Sequence, residues 1–163
     1  MTSDYRIVRE PRGEVLRSLL AYGATRCESF LVALTDMRRD EEAERVLSAL
    51  DPFRVRREET NEYPAGKLPW GTITVETYSL NPASLEIVSS ATDHLYGWQE
   101  PELPNDLCFL IEGDPWLTTI ASDRVAIISE TRQGITALCS AIPTLRVLPL
   151  NEGAATTKHR LAL

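Results

Sequence analysis

Apolar residues along this chain come in short dense runs cut by Gly, Pro, Asp and Ser, and the densest group lies between Leu107 and Ile128. Leu107-Cys108-Phe109-Leu110-Ile111 stops at Glu112-Gly113-Asp114-Pro115, a turn by composition. Trp116-Leu117-Thr118-Thr119-Ile120 returns, Ser122-Asp123 turns again, and Val125-Ala126-Ile127-Ile128 follows. Runs of this length between breakers read as buried strands, here a β-meander on which the rest of the chain packs.

The other periods fill in around it. Val15, Leu16, Leu19 and Leu20 recur at helical spacing, so Pro11 to Tyr22 reads as a helix stopped by Gly23. Cys27 to Leu34 reads as a strand centred on Phe30 to Leu34, with a continuing helix as the alternative for so short an apolar run. Asp36 or Asp40 caps a helix over Glu41 to Leu50, whose early acids suit its dipole. Phe53 to Glu62 reads as a charged edge strand with Arg54, Arg56 and Arg57 on a solvated face. Tyr63 to Pro69 reads as a loop. Ile73, Val75 and Thr77 alternate with polar residues in a strand from Trp70 to Leu80. Asn81-Pro82 opens a third helix running to about Leu95. Glu130 to Ile142 makes a fourth despite Gly134, and Leu145 to Leu150 adds a strand.

Strands and helices do not alternate strictly, which predicts an α+β fold: a mostly antiparallel sheet with about four helices largely on one face. The 163 residues predict a single domain over 1–150 and a weakly ordered tail over 151–163. No apolar run reaches the ~20 residues of a membrane span, and the charged start lacks a signal-peptide core. The expectation is a soluble cytoplasmic protein.

Charge changes the picture. The net charge is −7, yet from Leu68 to Asp123 there is no Lys or Arg. Nine of the chain's 24 acids lie in that segment, leaving 15 against 17 bases elsewhere. A negative field of this kind disfavours nucleic acid and anionic membrane and favours a cationic partner. Its centre is Glu100-Pro101-Glu102-Leu103-Pro104-Asn105-Asp106, a loop rigidified by two prolines. Trp98 stands beside it, an aromatic among carboxylates and so a candidate interface anchor, while Trp70 and Trp116 flank strands and read as core. The candidate partner-binding residues are Trp98, Glu100, Glu102, Asp106, Glu112 and Asp114.

No catalytic set stands out. There is no GxSxG elbow, no Gly-rich phosphate loop, no CxxC and no calcium-loop spacing. Cys27, Cys108 and Cys139 read as reduced thiols, Cys108 in an apolar strand where a thiol is inert. The expectation is therefore a non-enzyme without metal or cofactor. A competing expectation is a small hydrolase built from Asp93, His94, Glu100, Glu102 and Asp106, which lie close in sequence. A regulatory or structural subunit with no ligand is the third.

Leu103-Pro104, Asp106-Leu107, Pro115-Trp116-Leu117 and Ile120-Ala121 together resemble a pattern in a broad group of small bacterial α+β proteins. That pattern continues with a His-Glu pair, and this chain has Ser122-Asp123 there. Small acidic proteins of this kind are also similar to immunity proteins, which neutralise bacterial toxins. The resemblance implies a binding role, with a cationic toxin domain as partner and its active site covered.

Overall fold

The computed structural model describes residues 1–150, so the expected tail over 151–163 lies outside the described residues. Ten strands run in chain order: β1 (Ser3–Ile7), β2 (Ser29–Leu34), β3 (Arg54–Thr60), β4 (Glu62–Tyr63), β5 (Gly66–Lys67), β6 (Ile73–Ser79), β7 (Asn105–Ile111), β8 (Asp114–Ile120), β9 (Val125–Glu130) and β10 (Val147–Pro149). The helices are α1 (Glu14–Arg26), α2 (Glu41–Leu50), α3 (Pro82–Ala91) and α4 (Arg132–Ala141). Eight strands form one sheet in the order β10-β1-β9-β8-β7-β2-β6-β3, and β4 and β5 pair separately. Every pairing in the large sheet is antiparallel. The fold is α+β, as the element pattern predicts.

The meander β7-β8-β9 sits mid-sheet, and Glu112 and Gly113 turn its first hairpin with φ of 50° and 86°. Positive φ at both central residues matches the twist of the flanking strands. All four helices bury residues on one face: Leu16, Leu19 and Leu20 from α1, Val46 and Leu50 from α2, Val88 from α3, Ile135 and Leu138 from α4. They meet Phe30, Phe109, Trp116, Leu117 and Ile128 of the sheet. A second, smaller cluster lies across the sheet, where Tyr63, Ala65 and Leu68 cover Leu31, Ala33, Val75, Cys108 and Leu110. Period-two alternation requires this, because β2 and β7 are apolar at almost every position and so must be covered on both sides.

Several expectations need correcting. β1 was not expected in the polar lead; Tyr5 and Ile7 alternate inward there and pair the strand with both β9 and β10. The segment from Tyr63 holds the β4-β5 hairpin rather than loop alone. β6 starts at Ile73, not Trp70: Gly71 has φ of 79°, and Trp70 is 79% exposed instead of core. α3 ends at Ala91 because Thr92 is extended and His94 bridges Arg12. Arg54 and Arg57 are not simply solvated; both pair with the buried Glu76 across the sheet.

Gly134, an apparent weakness in α4, is a packing requirement. Glu130 is buried and accepts from Trp116 Nε1 at 3.1 Å, Arg26 Nη2 at 2.7 Å and the Thr131 N–H at 2.8 Å. A Cβ on residue 134 would lie 2.3 Å from Glu130 Cδ. Replacing an exposed helical Gly with Ala normally stabilises by about 0.5–1 kcal/mol. Here Gly134→Ala is expected to destabilise by about 1–3 kcal/mol, because it displaces a carboxylate locked by three donors. Chemical denaturation of the variant checks this; a gain in stability would show that Glu130 moves freely.

Candidate functional site

The Glu100–Asp106 loop folds back on the residues just before it. The Asp106 N–H donates to Trp98 O at 3.0 Å and the Leu103 N–H to Gln99 O at 3.1 Å. This closure turns Trp98 inward, and it is fully buried rather than presented. Its expected role as an exposed anchor is corrected: a short helical turn over Leu95–Gly97 delivers the indole into the core.

Glu100 and Asp106 are also buried. Glu100 Oε1 accepts from the Thr35 N–H at 2.9 Å and from Asn105 Nδ2, and Oε2 lies 3.2 Å from Arg39 Nη1. Asp106 Oδ2 accepts from Tyr63 OH at 2.6 Å, and Oδ1 accepts from the Ala121 N–H at 2.9 Å. Neither carboxylate is a solvated surface charge. Each ties two or three separate segments together, as buried charged groups must.

Burial pushes the Asp106 carboxyl above its ordinary range, against the pull of its bonds from Tyr63 and Ala121. Asp106 also holds φ of 63°, a left-handed conformation uncommon for a non-glycine residue and best tolerated by Asn and Asp. Burial raises the Tyr63 hydroxyl as well, with Asp106 adding to it.

Glu100 and Asp106 share a recess of about 290 Å³ with Thr35, Met37, Tyr63, Leu68, Ile73, Gln99, Asn105 and Ser122. Its lining combines the acidic Glu100 and Asp106 with the apolar Met37, Leu68 and Ile73. Met37 is half exposed, and Trp70 lies on the loop between the buried lining residues Leu68 and Ile73. Composition alone did not mark Trp70; its position between Pro69 and Gly71, both turn formers, was the available signal.

The other candidates go elsewhere. Glu102 is exposed and lines a different recess of about 510 Å³ with His94, Thr92, Tyr96 and Leu103. Glu112 and Asp114 are exposed at the β7-β8 turn, at the far end of β7 from Asn105, a strand about 20 Å long at ~3.4 Å per residue. The six expected partner-binding residues therefore form no single surface. Trp98, Glu100 and Asp106 are interior, and Glu102 is separated from Glu112 and Asp114.

The hydrolase set does not assemble either. His94 Nδ1 lies 2.9 Å from Asp93 Oδ1, an approach that helical neighbours could not make. It arises because His94 is extended, with φ −142° and ψ 141°. The bond from His94 holds the exposed Asp93 carboxyl below its ordinary range. His94 lines the Glu102 recess, while Glu100 and Asp106 line their own. The cysteines are free; burial pushes the Cys27 thiol up to about 12, and Cys108 is raised in the same way. Among the described residues no three His, Cys, Asp or Glu cluster as metal ligands, and no helix is long and apolar enough to cross a membrane.

Comparison with known proteins finds no matching family model, no matching curated sequence and no matching solved structure.

The Asp106 geometry has a pH signature. Its folded carboxyl sits above the unfolded value of about 3.9, so the folded state holds its proton more tightly. Stability is then lost as pH rises from the unfolded value through the folded one. Asp106→Asn keeps the shape and tolerates the left-handed backbone without a charge. Its stability relative to the wild type should be lowest near pH 4 and improve toward neutrality. Asp106→Ala strands the Tyr63 hydroxyl and the Ala121 N–H and should cost about 2–4 kcal/mol near neutral pH, and more as pH falls toward 4, because it removes the same titrating group. Denaturant melts across that pH range check both, and a pH-independent difference for Asn would contradict the assignment.

Proposed function

We propose that the protein is a non-enzymatic, cytoplasmic binding module for a cationic protein partner. Its most concrete form is an immunity protein that covers the active site of a bacterial toxin domain. The observation that carries the reading is Trp70, 79% exposed on the loop whose ends, Leu68 and Ile73, line the Glu100–Asp106 recess. A large aromatic left in water on such a loop is the composition of an interface anchor. The acidic lining suits one basic side chain, whose aliphatic stem would lie along Leu68 and Ile73.

Two further features support it. The net charge of −7 favours association with a basic protein over long range. The recess is preformed by internal bonds of Glu100 and Asp106, so binding costs little ordering entropy. The anchor in this reading is Trp70 in place of Trp98, and Glu102 remains as an exposed steering charge.

The hydrolase reading keeps one support, the raised carboxyl of Asp106 in a recess. Both oxygens of that carboxyl are already engaged, by Tyr63 and by the Ala121 N–H, which favours a holding role over proton transfer.

The test uses the product of the adjacent gene as the candidate partner, with kinetics measured by surface binding. Trp70→Ala should accelerate dissociation by an amount on the order of 2 kcal/mol. Glu102→Lys should slow association, most steeply at low salt, since exposed charges are screened beyond about 10 Å at ~0.1 M. Both variants should melt within ~0.5 kcal/mol of the parent, as surface substitutions do. Undiminished binding by Trp70→Ala would remove the anchor, and a neighbour that shows no binding would remove the toxin-domain form of the reading.

A further inference from the structure

At another place on the molecule the charge reverses. Arg9, Arg12 and Arg124 line a recess of about 430 Å³ around Glu10, with Val15, Thr144 and Leu145 as its remaining wall. Three guanidiniums against one carboxylate leave a local excess of two positive charges, on a chain whose net charge is −7.

The arrangement is held from within. The Glu10 side chain is only 6% exposed. Its Oε2 accepts from Arg12 Nη2 at 2.9 Å and from Arg124 Nη2 at 3.0 Å, and its Oε1 accepts from the Tyr96 N–H at 3.2 Å. One carboxylate thus orients two guanidiniums while using a single nitrogen of each. Every arginine carries five N–H donors in a planar fork, so most donors remain for a ligand.

Arg124 holds φ of 54° and ψ of 49°, a left-handed backbone that costs a residue with a Cβ. The guanidinium carbon sits 5.4 Å from the centre of the Tyr96 ring, which fixes the side chain from a second side. Arg9 makes no ion pair or hydrogen bond with a described side chain and is exposed at the recess. Arg12 also acts on Asp93, adding to the His94 bond that lowers its carboxyl.

We propose that this recess binds the phosphate of a small phosphomonoester, whose organic part rests against Val15 and Leu145. Guanidinium forks match phosphate oxygens pairwise, and two or more of them grip a dianion that a monoanion engages less well. The apolar wall distinguishes an ester from free phosphate. This site is independent of the acidic recess and of the partner proposed for it.

The probes are phenyl phosphate and inorganic phosphate, titrated calorimetrically into the full chain at ~0.15 M salt, where diffuse surface attraction is screened. Phenyl phosphate should bind at least about tenfold more tightly than inorganic phosphate, a difference of ~1.4 kcal/mol. Arg9→Gln disturbs no internal bond of the described residues, so it should fold normally and weaken phenyl phosphate by about tenfold or more. Arg124→Gln, which also loses the bond to Glu10 and the Tyr96 contact, should weaken phenyl phosphate at least as much. Equal affinity for both probes removes the apolar subsite and with it the ester assignment. Binding unchanged in Arg9→Gln and Arg124→Gln, or no heat from either probe, overturns the site altogether.

Discussion

An antiparallel sheet of eight strands has two faces, and among the described residues the helices cover only one of them. The second face is apolar at its centre through Leu31, Ala33, Val75, Cys108 and Leu110, and it needs a cover. The β4-β5 hairpin and the residues after it provide one, through Tyr63, Ala65 and Leu68. A two-stranded hairpin is marginal on its own, so its attachment matters. The Tyr63 hydroxyl reaches the buried Asp106, whose other oxygen takes the N–H of Ala121. One carboxyl thereby joins the hairpin, the start of β7 and the end of β8. The acidic recess is a consequence of this joint, lying where the cover meets the Glu100–Asp106 loop.

The same economy explains where the acids went. In sequence, Leu68 to Asp123 is a block without bases. In space, two of its interior acids draw arginines from the chain before it. Glu76 on β6 takes Arg54 and Arg57, and Glu100 takes Arg39. Antiparallel pairing places Arg57 directly opposite Glu76. A charge count along a chain cannot see such cross-strand neutralisation, because the partners are about 20 to 60 positions apart. What survives as surface negative charge is a smaller, divided set.

Legibility followed how local the cause was. The meander, α2 and the β6 alternation rest on period and turn residues within a few positions, and they read correctly. The stop expected at Gly23 is wrong: α1 runs on to Arg26, and Gly23 is a buried helical residue packed so closely on Phe109 and Trp116 that a Cβ would clash. β1 was missed because only Tyr5 and Ile7 of its five residues are buried, a pattern too short to stand out before pairing with β9 and β10. The tryptophans exchanged roles for a non-local reason. Trp98 follows a glycine and precedes acids, yet a bond from Asp106 to its carbonyl closes the loop over it. Trp70 opens an alternating run, yet Gly71 turns it out before the strand begins. Of the site, the acidic loop was legible as a segment. The recess was not, since Met37, Tyr63 and Ser122 come from three distant parts of the chain.

A buried carboxyl can serve as scaffold or as reactant, and its bonds distinguish the two. A general acid or base needs one oxygen free toward the group it serves. Asp106 accepts a hydrogen bond at each oxygen, and Glu100 at each of its own counting Arg39. Their remaining lone pairs suit electrostatic reception of a cation, which asks for field rather than for a transferable proton. Glu10 follows the same logic with opposite sign: committed on both oxygens, it serves by aiming Arg12 and Arg124 outward. In each recess the interior carboxylate builds the geometry, and the contacts proposed above fall to exposed side chains, Trp70 on the loop between Leu68 and Ile73 for one and Arg9 for the other.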